Sequence, residues 1–174
     1  MLDYWYDHIK PTYGDRARML YTDTDSFVIE FQTPDIYADI EGNAERYDTS
    51  NYKSGPLAAI AKANPQREKA IGLFKDELGG RIVHSFVGLR PKCYSILAEG
   101  DKLISKSKGV QSSVTKGLTH GDYWGVVNGG GDLAHENTSI RSFGHVNKTI
   151  RTLKTSLSAL DTKRWVSDDG ISSL

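Results

Sequence analysis

The chain predicts an α+β fold built on antiparallel strand pairing. Three observations carry that expectation. Residues 17–31 read as strand, tight turn, strand. Residues 2–10 and 119–127 place apolar side chains at helical spacing. Residues 70–98 hold short strand-like runs broken by Gly79-Gly80 and Arg90-Pro91. A chain of 174 residues suffices for one domain with a core, or a domain with a small appendage.

In order, Leu2, Trp5, Tyr6 and Ile9 mark a first helix over 2–10, which Pro11 is expected to stop. Residues 17–22 and 26–31 are strands, the second with Phe27, Ile29 and Phe31 on one face and Val28 and Glu30 on the other; the three residues Asp23-Thr24-Asp25 join them as a hairpin. Thr33-Pro34-Asp35 starts a helix with Thr33 as N-cap and Ile36, Tyr37 and Ile40 as its buried stripe. Residues 42–69 read as a polar loop with a short helix near 57–63. Strands are expected at 71–75, 81–87 and 92–97, with a shorter one at 102–105. Thr119 caps a helix that ends at Asn128–Gly131, the clearest linker-like stretch, and places a domain boundary near 110–131. Two Thr- and Ser-rich strands, 138–146 and 149–158, follow, and Asp168-Asp169-Gly170 forms a turn.

The 22 basic and 22 acidic residues cancel, which argues against a protein that coats nucleic acid nonspecifically. Their distribution is uneven. Residues 1–50 hold eleven acids and four bases, and residues 141–165 hold six bases and one acid. One end is suited to cations and the other to polyanions, although a solvated surface with uneven charge explains the same counts. A single cysteine, Cys93, excludes an intrachain disulfide. No basic leader precedes an apolar stretch and no apolar run is long enough to span a membrane. The expected setting is intracellular and reducing, with no membrane partner.

Metal-assisted phosphoryl transfer needs carboxylates that converge on one point. Asp23 and Asp25, separated by one residue at a hairpin tip, answer that need, since i and i+2 side chains on extended backbone point to one side. Aspartate is also common in turns, so a bare D-x-D would carry little. An EF-hand loop is excluded: counted from Asp23, the sixth position is Val28 rather than Gly and the twelfth is Pro34 rather than Glu. Other constellations fail. His135-Glu136 lacks a second histidine, the five histidines have no zinc spacing, and no lysine follows Gly129–Gly131 as in a P-loop.

The full string Tyr21-Thr22-Asp23-Thr24-Asp25-Ser26 resembles motif C of family B DNA polymerases, Y-x-D-T-D-S. Downstream, Lys92-Cys93-Tyr94 is similar to that family's K-x-Y motif. The segments Phe74-Lys75-Asp76-Glu77, Phe86–Lys92, Lys106-x-Lys108-Gly109-Val110, Leu118-Thr119-His120 and Lys163-Arg164-Trp165 extend the likeness to protein-primed, organellar and viral members, Polinton (Maverick) elements among them.

The resemblance implies a partial polymerase palm over 1–110, an antiparallel sheet with a catalytic hairpin at 18–31 and K-x-Y at 92–94. A small thumb-like portion over 111–174 follows. It implies template-directed nucleotidyl transfer from a dNTP to a primer 3′-hydroxyl with two Mg²⁺ ions. Asp25 would be the main metal ligand and Asp23 its partner, with Thr24 and Ser26 in structural roles. Tyr21, Lys92, Tyr94 and Lys108 would contact primer–template DNA, and a terminal priming protein is an implied further partner. The work would be replication of a viral or mobile element, in a nucleus, an organelle or a viral replication site. Nothing in the sequence resembles motif A, motif B or an exonuclease. The chain is therefore expected to be a C-terminal piece of such an enzyme, inactive alone because two carboxylates cannot clamp two cations and a triphosphate. The alternatives are a nonenzymatic DNA-binding remnant using the 141–165 segment and Lys92, and a relic without function.

Overall fold

The computed structural model describes residues 1–160, 167 and 168. The chain is α+β and divides into two compact units, Met1–Ile82 and Val83–Leu174. The boundary expected between 110 and 131 falls inside the second unit. No helix among the described residues is long and apolar enough to cross a membrane.

The first unit opens with a π-helical segment, Tyr4–Ile9, that runs into α1 (Lys10–Tyr13). Pro11 does not stop this helix. The wide π turn bonds the Lys10 N–H to the Trp5 carbonyl and starts a new helical register at Lys10. Pro11 thus falls in a first turn, where a missing N–H costs least. Gly14, at φ +56°, ends the helix instead. Strands β1 (Ala17–Asp23) and β2 (Ser26–Phe31) then pair antiparallel. As the alternation predicted, Phe27, Ile29 and Phe31 lie with Met19 on the face that packs against buried Trp5, Ile9, Tyr13 and Ala17.

Helix α2 (Ile36–Gly42) is capped by Asp35, whose carboxylate accepts the Tyr37 and Ala38 N–H groups. Thr33 was expected in that role. Its hydroxyl donates instead to the Asp39 carboxylate, 2.8 Å away, which also accepts the Tyr13 hydroxyl. Helix α3 (Gly55–Ala63), the short helix expected in this stretch, packs on α2. The strand expected at 71–75 shrinks to β4 (Phe74–Lys75), which pairs parallel with β3 (Tyr47–Asp48).

The second unit is a three-stranded antiparallel sheet, β5 (Val83–Arg90), β6 (Cys93–Ala98) and β7 (Lys102–Ser107), in sequential order. Helix α4 (Ser112–Gly117), which no sequence signal marked, precedes α5 (His120–Val127). Helix α5 carries the expected Thr119 cap, completed into a capping box by Asp122. It packs on β5 and β6, burying Tyr123 and Val126 with Val87, Cys93 and Leu157. The Tyr123 hydroxyl donates to the Lys106 carbonyl, and burial raises its phenol to about 12. The glycines after α5 let the chain fold back on it: a Cβ at Gly130 would lie 2.7 Å from the Gly125 carbonyl oxygen. Strands β8 (Leu133–Phe143) and β9 (Val146–Leu157) form a long hairpin, closed by Gly144 and His145, both at positive φ. The turn read at 168–170, and Lys163 and Arg164 of the basic stretch, lie outside the described residues apart from Asp168.

Candidate metal centre and nucleic-acid interface

The tip of β1–β2 is built by one irregularity and one strained residue. Register partners are Met19 with Ile29 but Tyr21 with Val28, so Leu20 is the extra residue of a bulge. Without it Tyr21 would share the face of Met19 and point at the Trp5 core. With it, Tyr21 and Asp23 fall in line with Val28 and Ser26 on the opposite face. The bulge therefore turns one aspartate and one tyrosine of the motif away from the aromatic core.

The turn is tighter than the sequence predicted. Asp23 is the last residue of β1 and pairs with Ser26, leaving only Thr24 and Asp25 between the strands. Thr24 takes φ +44°, a conformation in which a β-branched residue is an outlier. The Asp23 carbonyl accepts the Asp25 N–H and the Ser26 hydroxyl, 3.1 Å away, and the Thr24 hydroxyl donates to the Asp23 carboxylate at 3.2 Å. The backbone is not extended at Thr24, so the turn rather than the pleat sets how Asp25 stands to Asp23. Asp23 is half-buried and Asp25 exposed.

This donor set of hard oxygens fits one oxygen-seeking divalent cation that keeps several waters. It falls short of two. No group of three or more His, Cys, Asp or Glu side chains gathers among the described residues.

In the second unit, Lys92 is not in a strand. Arg90 pairs with Cys93, so Pro91 and Lys92 form the turn between β5 and β6, with Lys92 at φ +59°. The strand expected at 92–97 therefore starts at Cys93 and leaves Lys92 in the turn. A different contact gathers the basic residues: the Lys108 N–H donates to the Lys92 carbonyl at 3.0 Å, bringing the backbones at Lys92 and Lys108 together. Tyr94 sits on β6 between Gly88 and Lys106 in the ladder, with its ring 6.1 Å from that of Phe86. Lys92, Lys108 and Tyr94 thus lie at one end of this sheet, with Lys106 beside them.

Two polar centres escaped the sequence reading. Asp48 is 4% exposed and accepts the N–H groups of Ser50 and Lys69, while the Lys75 ammonium lies 3.1 Å from its carboxylate. Burial acts to raise its pKa, but the Lys69 and Ser50 amides, the Ser50 hydroxyl and Lys75 outweigh it and hold the carboxyl well below its ordinary range. The Asp-x-Ser spacing is the signal that marks the local turn. His120 spans two serines, Nδ1 to Ser95 Oγ and Nε2 to Ser85 Oγ, each at 2.8 Å, and Trp124 Nε1 lies 3.2 Å from Ser85 Oγ. Burial lowers the His120 pKa, so the ring is neutral and pins α5 to the sheet.

A cleft of about 620 Å³ opens in the first unit between Tyr37 and Glu41 of α2, Tyr52, Pro56 and Gly79–Arg81. It mixes Asp35, Glu41 and Glu77 with Lys53 and Arg81, and neither motif aspartate lines it. Comparison of the chain with protein-family models, with curated proteins and with solved structures finds no match.

Proposed function

We propose that this chain is a palm-and-thumb portion of a family B type DNA polymerase, with Asp23 and Asp25 as its metal-binding carboxylates. One observation supports the reading above the others: the six residues Tyr21–Ser26 occupy the end of a β-hairpin whose bulge and strained turn hold Tyr21 and Asp23 off the core face. Strain of this kind at a polar tip collects at functional sites. Bound divalent cation would supply electrostatic stabilisation of phosphate charge. The chain's own part is to hold the two carboxylates on a rigid hairpin. Tyr21, Lys92, Tyr94 and Lys108 supply aromatic faces and cationic groups to primer–template DNA.

Paramagnetic broadening by Mn²⁺ tests the centre. Amide signals of Thr24–Ser26 are expected to broaden first, and Asp25→Ala to abolish that selectivity. Broadening spread evenly over the acidic first 50 residues would remove the basis for the proposal. A template-directed extension assay with the isolated chain is expected to show no product, because two carboxylates do not complete the site. Extension that depends on Asp25 would show that the chain suffices alone.

The β8–β9 hairpin supports a second, nonenzymatic reading. Its register places Arg141, Lys148 and Lys154 on one face with Phe143 and Val146, all exposed. A ribbon with cationic and aromatic side chains on one face is suited to nucleic acid. Under that reading DNA binding is salt-dependent, falls on Arg141→Ala with Lys148→Ala, and is untouched by Asp23→Ala with Asp25→Ala.

A further inference from the structure

Behind the β1–β2 hairpin stands a stack of rings that the motif chemistry does not use. Phe27 pairs with Thr22, one rung below the Asp23–Ser26 rung that closes the turn. Its ring lies nearly parallel to those of Tyr4 and Phe74, at 6.2 and 5.9 Å, and the Tyr4 and Phe74 rings are 3.9 Å apart. The Tyr4 hydroxyl is 2.8 Å from that of Tyr47, the register partner of Phe74. Strands β3 and β4 are only two residues each, too short to stand as a sheet alone. They are locked at the next rung, where Asp48 pairs with Lys75 and the two side chains make the 3.1 Å ion pair.

We propose that Phe74, locked in place by the Asp48–Lys75 pair, is a positioning residue for the Asp23–Asp25 tip and acts through Phe27; this rests on reading that tip as a divalent-cation site. The turn itself is exposed at Thr24, Asp25 and Ser26, so packing cannot hold it directly. The nearest fixed point on β2 is the Phe27 ring. Trp5 meets that ring at 38°, whereas Tyr4 and Phe74 lie within 21° of parallel to it, so they set its plane. Without the flat surface of Phe74, Phe27 can tilt, and the rung carrying Asp23 tilts with it. The lock matters for the same reason: Lys75 directly follows Phe74, and freeing it frees the ring.

The experiment is a Mn²⁺ titration of the full chain, read by broadening of the Thr24–Ser26 amides, alongside a thermal melt. Wild type is compared with Phe74→Leu, Phe74→Tyr and, as a control in the same core that softens packing without removing an aromatic plane, Ile9→Val; Ile9 is 1% exposed. Phe74→Leu is expected to weaken Mn²⁺ binding by roughly tenfold, Phe74→Tyr to restore it to within about twofold, and Ile9→Val to leave it within about twofold despite a lower melting temperature. Should Phe74→Leu not fold, Phe74→Met keeps the volume without the plane and is read in the same way. Wild-type affinity in Phe74→Leu overturns the positioning role and leaves the metal reading standing. Equal loss in Ile9→Val and Phe74→Leu overturns it too, because general softening of the core then accounts for both. Absence of selective broadening in wild type sinks the metal reading, and the positioning role falls with it.

Discussion

The β1–β2 and β8–β9 hairpins use the same secondary structure for opposite ends. In β1–β2 one face is seated below its last rungs: Met19, Phe27, Ile29 and Phe31 lie on Trp5, Ile9, Tyr13 and Ala17. In β8–β9 only the base is held, by Leu157 in the Tyr123 core, by buried Asn137, and by buried Ser156, whose hydroxyl donates to the Leu133 carbonyl. Elsewhere on the hairpin, Ile140, Phe143, Val146 and Leu153 are exposed. A two-stranded ribbon is marginal alone, so rigidity must come from what a face is packed against. The short hairpin can hold two carboxylates in a fixed relation. The long one can reach but cannot fix what it carries.

The largest test of that contrast is at the anchor of the long hairpin. Leu157 is fully buried among Val87, Cys93, Tyr123 and Val126. Leu157→Ala removes about 3 kcal/mol from the second unit. Urea melts followed by the Trp124 indole signal measure it. A loss under about 1 kcal/mol would mean that the base is not the anchor.

Acid separates the units next, because each holds a histidine whose pKa lies below the ordinary 6.5. Burial and the nearby Arg46 charge lower His8, in the π-helical segment of the first unit, and burial lowers His120, the first residue of α5. A depressed imidazole binds fewer protons in the folded chain than in the unfolded one. Stability therefore falls as pH drops through 6.5 and levels off below the folded values. Asp48 adds a second step in the first unit alone: its depressed carboxyl contributes stability that is lost as pH falls below the ordinary 3.8. Melts from pH 8 to 3, with Trp5 and Trp124 as separate reporters, should show one acid step in the second unit and two in the first. His120→Asn should flatten the step in the second unit only; unchanged pH dependence would remove His120 as its source.

A finer test uses the strained residue. Thr24→Gly relieves the positive φ but loses the hydroxyl bond to Asp23, so stability should stay within about 0.5 kcal/mol. Mn²⁺ affinity should nevertheless fall roughly three- to tenfold, because a freer turn must be ordered on binding. Unchanged affinity would show that the seated face, not the turn, fixes the carboxylates.

Much of this was legible in the sequence where the signal is local. Alternation placed β1, β2 and the core-facing Phe27, Ile29 and Phe31, and Thr119 marked the start of α5. The tip residues were legible as chemistry, but their orientation was not, because a bulge at Leu20 leaves no mark in an apolar run such as Met19–Tyr21. Thr33 and Asp35 are both good caps, and Asp39 decided between them by accepting the Thr33 hydroxyl. The β3–β4 pair was hidden because its lock joins residues 27 apart. Lys92 read as strand because its turn uses a lysine where positive φ usually brings glycine.

The smallest effect falls on the exposed part of the long hairpin. Leu153 is 78% exposed and opposite Glu136, on the face that also carries Ile140. With nothing packed against it, Leu153→Ser should change stability by no more than about 0.5 kcal/mol in either direction, whereas Ile29→Ser, on the seated face of β2, should cost several times that. Urea melts at two protein concentrations make the comparison strict. A loss above about 1 kcal/mol for Leu153→Ser, growing with protein concentration, would mean that a second copy covers this face in solution. The long hairpin would then be a seated element like the short one, and the division between a hairpin that fixes and a hairpin that reaches would not survive.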